Sequence, residues 1–240
     1  MYKNKKFLGV ITARGKSKSI PKKNIKKLAG EPLIAYTIKA AKGSKYLDYF
    51  LVSTDDREIA EISKRYGTSI PFMRPKKLAT SKAKSVPVVI HALDWLKANK
   101  KKEYDYAMIL QPTSPFRTAK DIDECIKKIV DTKADSVMSM VKLSDFSLPK
   151  LKKIKDDKIL PWVKEEGKRS AMKHEIPEVY KRNTAIYLTK TSVIRKEDLF
   201  GRISRPYIMP PERSIDINTP FDFTVADLLM KAIKRKKLKI

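Results

Sequence analysis

With one cysteine, Cys125, in 240 residues, the chain cannot form an internal disulfide, and the cytosol is the expected compartment. No apolar run approaches the roughly 20 residues of a membrane span. The apolar stretch after the basic N-terminus is too short for a signal peptide and ends at Arg14. Histidine is scarce: His91 and His174 stand apart, with no H-x-x-x-H or Cys/His spacing that would hold zinc. The G-x-S-x-G elbow and the G-x-x-x-x-G-K-[ST] phosphate loop are both missing, which argues against hydrolase and ordinary ATPase chemistry. There is no internal repeat and no long low-complexity linker.

Acidic residues are outnumbered two to one, 27 against 54 Lys and Arg, for a formal charge of +27. Such a balance raises a nucleic-acid-binding reading. The lysines run along the whole chain, however, and aromatics do not interleave with them as a stacking platform requires. A lysine-rich solvated surface is the better account, and its field would still draw in anionic substrates. Trp95 and Trp162 read as packing residues, and the run Lys234 to Lys239 as a frayed helix end. At 42% hydrophobic, the chain suits one α/β domain over residues 1–240.

Strand and helix patterns alternate. Apolar runs at Phe7 to Ile11, Tyr49 to Ser53, Ser69 to Met73, Tyr106 to Leu110 and Ser136 to Val141 predict strands. Between them, helical spacing marks Pro32 to Ala41, Arg57 to Tyr66 (ended by Gly67), the stretch from Val86 to Leu96, and the one holding Ile122, Ile126 and Ile129. This alternation predicts a Rossmann-like, mostly parallel sheet flanked by helices. The pattern weakens between Leu148 and Tyr180, where prolines and charges surround short apolar pieces, so 148–180 reads as an inserted lid or arm with a hairpin or two. Thr184 to Leu188 and Ser214 to Ile217 predict returning strands, and Phe221 to Ile233 a closing helix.

The most telling stretch is Phe7 to Asn24, F-L-G-V-I-T-A-R-G-K-S-K-S-I-P-K-K-N. A buried strand breaks into a loop with Arg14, Lys16, Lys18, Lys22 and Lys23, interleaved with Gly15, Ser17 and Ser19. Cations and backbone N–H groups at a strand's carboxyl end, where open α/β sheets bind ligands, suit a polyanion such as a triphosphate.

The spacing A-R-x-x-S-K-x-x-P-x-K-N resembles the opening of the acylneuraminate cytidylyltransferases, the CMP-sialic acid synthetase family. Further matches follow in order: Val52-Ser53-Thr54-Asp55; Arg74-Pro75, with Ser85 ahead of a helix containing His91-Ala92-Leu93; Gln111-Pro112-Thr113-Ser114-Pro115-Phe116-Arg117; Asn183-Thr184-Ala185-Ile186-Tyr187; and Ser214-Ile215-Asp216-Ile217-Asn218. The resemblance implies a fold of the nucleotide-diphospho-sugar transferase type. It also implies a cytoplasmic enzyme that couples CTP to a sialic-acid-like (nonulosonic) sugar and releases pyrophosphate for surface glycan biosynthesis. Another acidic sugar or a phosphonate is the alternative acceptor, and a basic nucleic-acid-binding protein the non-enzymatic alternative. Arg14, Lys18 and Lys23 would hold the triphosphate, Asn24 the nucleotide, and Arg74 and Ser85 the cytidine side. Gln111, Thr113, Ser114, Lys173 and Asn183 fall to the sugar side. Arg14, Lys23 and Asp216 would carry catalysis, and Asp216 with Asn218 would hold magnesium. The family also dimerises through the region of the insertion, which implies a homodimer.

Several positions depart from the family pattern. Asn218 stands where a second aspartate is usual, so magnesium would find one charge fewer, with Asp222 able to compensate in part. The phosphate loop has lost glycines that permit positive φ. Only Lys168-Arg169-Ser170 and Lys173 stand in for a basic cluster on the sugar side. Thr184 replaces a glycine and narrows the space beside Asn183, which favours an acceptor other than N-acetylneuraminate. Arg117 is open to two readings, a partner for a substrate anion or a helix-start salt bridge.

Overall fold

The computed structural model describes residues 1–144, 151–162 and 178–238. Its strands are β1 (Phe7–Thr12), β2 (Lys27–Leu28), β3 (Glu31–Pro32), β4 (Tyr49–Ser53), β5 (Tyr106–Leu110), β6 (Ser136–Lys142), β7 (Lys152–Lys155), β8 (Lys158–Pro161), β9 (Tyr180–Lys190) and β10 (Ser204–Ile208). The helices are α1 (Leu33–Lys42), α2 (Arg57–Arg65), α3 (Ser85–Lys100), α4 (Ala119–Asp131), α5 (Thr191–Ile194) and α6 (Pro220–Lys234). Six strands form one sheet in the order β10-β6-β9-β5-β1-β4. All its neighbours pair in parallel except β9, which runs antiparallel to both β5 and β6.

The central strands β1 and β5 are buried on both faces. Phe7 and Ile11 of β1 face α1, α2 and α4 through Ile34, Ile38, Ile59, Ile122 and Ile126. Leu8 and Val10 face α3 through Val86, Val89, Leu93 and Leu96. Strands covered on both sides must be apolar at every position, and β1 and β5 read as continuous runs for that reason. Each side chain so buried stabilises the fold by about 1.5–3 kcal/mol relative to exposure. A third cluster seats α6 beside the small β2–β3 ribbon through Leu28, Leu33, Phe223, Ala226 and Met230.

Three helix starts, those of α2, α4 and α6, are fixed by side chains. Asp56 accepts from the Ile59 N–H at 3.0 Å, and Thr118 with Asp121, like Thr219 with Asp222, forms a reciprocal capping box.

Two expected strands are not strands. Between Ser69 and Met73 only a single bridge forms, Ser69 to Leu51, and the chain next bonds the β4 side where the Arg74 N–H meets the Thr54 carbonyl at 2.7 Å. Ser214 to Ile217 is irregular: Ile217 is buried, but its N–H goes to the Thr113 carbonyl at 2.9 Å rather than to a ladder. The sheet edge is instead β10, a strand the apolar pattern does not mark. In the insertion, β7 and β8 form an antiparallel hairpin, as a hairpin there was expected. Lys168, Arg169, Ser170 and Lys173 lie outside the described residues, as does His174.

Candidate functional site

β1 delivers the chain to the carboxyl edge of the sheet, where the Ala13 N–H bonds the Ser53 carbonyl at the end of β4 (3.0 Å). The following loop is held from three sides. Gly15 donates its N–H to Asp55 Oδ1 at 2.9 Å, and a Cβ there would stand only 2.7–2.8 Å from atoms of the Asp56 side chain. Glycine is therefore required by close approach. The Asn24 amide donates to the Arg14 carbonyl at 2.9 Å, and the Arg14 guanidinium reaches the Thr80 carbonyl at 3.1 Å. Lys23 crosses to the far side of the site, its Nζ donating to the Ile217 carbonyl at 2.8 Å.

These elements surround a cleft of about 720 Å³. Arg14, Lys18, Lys23 and Asn24 line it from the loop, with Ser17 and Ser19. Arg74 and Ser85 line the side nearest α3, and Gln111 and Thr113 the floor beyond β5. Asp216 and Asn218 close it, with Thr184 of β9 beside them. Residues from about 50 to more than 200 positions apart in sequence, such as Asn24 with Arg74 and Arg14 with Asn218, thus meet in one polar, cation-rich space. Burial lowers the Lys23 ammonium pKa; the Asp216 carboxylate opposes this, and the Arg14 cation adds to it.

Arg74 is 6% exposed. Its Nε donates to Ser53 Oγ at 3.0 Å and a second nitrogen to the Ser53 carbonyl. Burial pulls its pKa down to about 10, with Asp55 opposing the shift, so it is still a cation at neutral pH. It sits as a fixed charge under one end of the cleft. Gln111 accepts from Thr12 Oγ1 at 3.2 Å, which pins one end of its amide.

Asp216 is the least satisfied of these groups. Its Oδ2 accepts from the Asn218 amide at 2.8 Å, while its Oδ1 is buried with no hydrogen-bond partner. A buried carboxylate oxygen without a partner is costly unless a cation or donor arrives with a ligand. The donor set fits magnesium, which is commonly held by one or two carboxylates plus substrate phosphate oxygens. Among the described residues no group of three or more His, Cys, Asp or Glu could hold a metal alone, so a cation here would depend on the ligand's oxygens. Asp222 caps α6 with one carboxylate oxygen, accepting from the Asn218 and Thr219 N–H groups at 2.9 and 2.7 Å, and its charge still acts on Lys23 across the site.

Two expected sugar-side residues lie behind the cleft wall. Ser114 is buried, its hydroxyl directed at the Asn183 carbonyl (3.4 Å) and Thr184 Oγ1 (3.2 Å). Asn183 donates to Ser214 Oγ at 2.9 Å and faces a second cavity of about 430 Å³ that shares Asp216 and Asn218 with the first. Arg117 serves the interior, donating to the Gln111 and Ala185 carbonyls and Thr37 Oγ1. Arg213 likewise pairs with Asp121 and not with Asp216. The sequence reading passed over Thr12, Lys82 and Lys84, all of which line the cleft. The lysines ahead of α3 were the available signal.

A family model described as Cytidylyltransferase matches residues 8–223. The chain belongs to the cytidylyltransferase family. It is 34% identical over 239 residues to a CMP-N,N'-diacetyllegionaminic acid synthase of Legionella pneumophila, a match covering 94% of this chain and 97% of that relative. It is 32% identical over 234 residues to an N-acylneuraminate cytidylyltransferase of Escherichia coli, covering 97% of this chain and 54% of that longer protein. The fold of this cytidylyltransferase also matches a solved CMP:2-keto-3-deoxy-manno-octonic acid synthetase in complex with CTP, with a TM-score of 0.69 at 15% identity over 97% of this chain and all of that one. No helix among the described residues is long and apolar enough to cross a membrane.

Proposed function

We propose that this cytidylyltransferase moves CMP from CTP to a nonulosonic, sialic-acid-like sugar in the cytoplasm. The observation that carries this reading is the cleft itself, where Arg14, Lys18 and Lys23 face a buried, unpartnered carboxylate oxygen of Asp216. Cations for a triphosphate and a carboxylate suited to its metal ion occupy the same space. The names of the two relatives, which belong to enzymes for legionaminic and neuraminic acids, support this acceptor class.

In the reaction a sugar hydroxyl oxygen bonds to the α-phosphorus. The bond from that phosphorus to the β-bridging oxygen breaks, and pyrophosphate leaves with the electron pair. The hydroxyl proton passes to solvent. Catalysis of such a transfer is mostly positioning and charge neutralisation. Arg14, Lys18 and Lys23 bind the triphosphate and neutralise charge that develops on it. Asn24 braces the loop through the Arg14 carbonyl while presenting its edge to the nucleotide, and Arg74 and Ser85 bound the cytidine end. Gln111 and Thr113 contact the sugar, while Ser114 and Asn183 shape its pocket from behind. Asp216 and the Asn218 carbonyl would hold magnesium, which supplies charge neutralisation at the phosphates when bound.

Purified protein incubated with labelled CTP, magnesium and a panel of acidic sugars and phosphonates tests the reading. Pyrophosphate release with a nonulosonic acid is expected; none with any acceptor would refute it. A homodimer through the 148–180 arm belongs to the same proposal. Ile154, Ile159 and Trp162 on the β7–β8 hairpin are 80%, 74% and 56% exposed, apolar surface that a second copy would cover. A monomeric mass by light scattering would rule the dimer out.

A further inference from the structure

Eleven described non-glycine residues have positive φ, and ten of them sit in turns or at element ends. Thr184, at φ +63°, is the exception: it lies inside β9 and is the one β-branched residue among them. Left-handed backbone is a genuine outlier for a β-branched side chain, because its Cβ substituents crowd the neighbouring carbonyl. Glycine would occupy this position without strain. An observed outlier of this kind, at a ligand cleft, is a pointer to function.

The cause is a bulge. Opposite β6, Arg182 pairs with Met140 and Tyr187 with Met138, so four residues of β9 (183–186) span a single residue, Ser139. Ser139 patches the gap by donating to the Ile186 carbonyl at 3.2 Å and accepting from its N–H at 2.8 Å. On the other side β5 ends at Leu110, opposite Ile186. The slack chain is therefore pushed past the end of β5 and into the cleft, where Thr184 stands with Gln111 and Asp216 on its wall. Ser114 Oγ, 3.2 Å from Thr184 Oγ1, holds the side chain in place. The strand order β9-β5-β1-β4 puts Thr184 at the opposite end of the cleft from Arg74, which is anchored on Ser53 of β4.

We propose that Thr184 is a specificity-determining residue whose strained side chain walls the acceptor end of the cleft and limits the substituent an acidic sugar can carry there. The inference rests on the cytidylyl-transfer reading above and deepens it. A methyl-sized change in a pocket wall shifts discrimination by about 10- to 200-fold, so Thr184 can decide between acceptors that differ by one acyl group.

The test compares wild type, Thr184→Gly and Thr184→Ser with CTP and a set of nonulosonic acids graded in acyl bulk. In Thr184→Gly, kcat/KM for the bulkiest acceptor relative to the smallest should rise about 10-fold or more, with the CTP KM changed less than about twofold. Thr184→Ser, which keeps the hydroxyl and loses the methyl, should fall between. Relief of strain should leave the Thr184→Gly melting temperature unchanged or raised by up to about 4 °C. An active Thr184→Gly enzyme with the wild-type acceptor ranking overturns this proposal alone. Wild type that releases no pyrophosphate with any acceptor overturns the cytidylyl-transfer reading, and this proposal with it.

Discussion

Asp121 and Asp216 are both carboxylates in the carboxyl-edge half of the molecule, and they have been treated in opposite ways. Asp121 is 1% exposed and fully used. One oxygen takes the Thr118 N–H at 2.7 Å, the Thr118 hydroxyl at 2.8 Å and the Arg213 guanidinium, and the other takes the Tyr207 hydroxyl at 2.9 Å. Burial alone would raise its pKa, but the Thr118 and Arg213 hydrogen bonds outweigh that and hold it below the ordinary 3.8. Asp216 has one amide partner and one buried oxygen with none. The first region spends its polar groups on itself and ties α4 to β10 and the 211–213 turn. The second leaves a carboxylate oxygen without a protein partner at the cleft, free to meet a donor or cation that enters it.

The comparison is broken most severely from the structural side. Asp121→Ala should cost about 3–5 kcal/mol, since it removes at once the partner of the Thr118 N–H, the Tyr207 hydroxyl and the partly buried Arg213 charge. A loss under about 1 kcal/mol in urea unfolding would show that the cluster is not the brace described. On the other side, Arg14→Ala or Lys23→Ala should lower kcat by about 100- to 1,000-fold, roughly 3–4 kcal/mol of transition-state stabilisation, with melting temperatures near wild type. Unchanged turnover at saturating CTP would remove those residues from catalysis. Acid separates the two regions more gently. A carboxyl held below its unfolded pKa adds stability that is present above the ordinary 3.8 and lost as pH falls through the folded value. The stability gap between wild type and Asp121→Asn should therefore narrow below about pH 3.8, and a gap constant down to pH 2 would contradict the sign of the shift. The smallest effect sharpens the comparison: Asn218→Asp should lower the magnesium concentration for half-maximal activity several-fold, because carboxylates bind this ion better than amides. Asp216→Ala should remove the magnesium response, and an unchanged response would make that site structural.

Much of the sheet was legible in the sequence. β1, β4 and β5 are continuous apolar runs because both faces are covered, and the basic loop after β1 stood out as what is now a wall of the cleft. What failed did so for identifiable reasons. In Ser69 to Met73 and Ser214 to Ile217, Ile70, Phe72 and Ile217 pack inward without a continuing ladder, so the pattern reported burial and not pairing. β10 escaped because Ser204, Arg205 and Pro206 are exposed on an edge, where a proline is tolerated and apolar alternation is not needed. Within the site, cation positions were readable from spacing. The diversion of Arg117 to interior carbonyls was not, because an arginine beside a helix start looks the same whichever way it turns. Asp222 carried a usable signal, the T-x-x-D box at 219–222, which marks it as a cap.

The direction of β9 has a consequence for how this enzyme class can diversify. A strand running against its parallel neighbours starts where they finish, so Tyr180 pairs with Lys142 at the ligand edge, and the Leu143 N–H bonds the Val179 carbonyl there. Any chain inserted between β6 and β9 must leave and re-enter at the rim of the active cleft. Its length and composition can change without disturbing a single buried ladder. The topology thus lets the chain between β6 and β9 vary at the ligand edge while the sheet's pairing stays as it is.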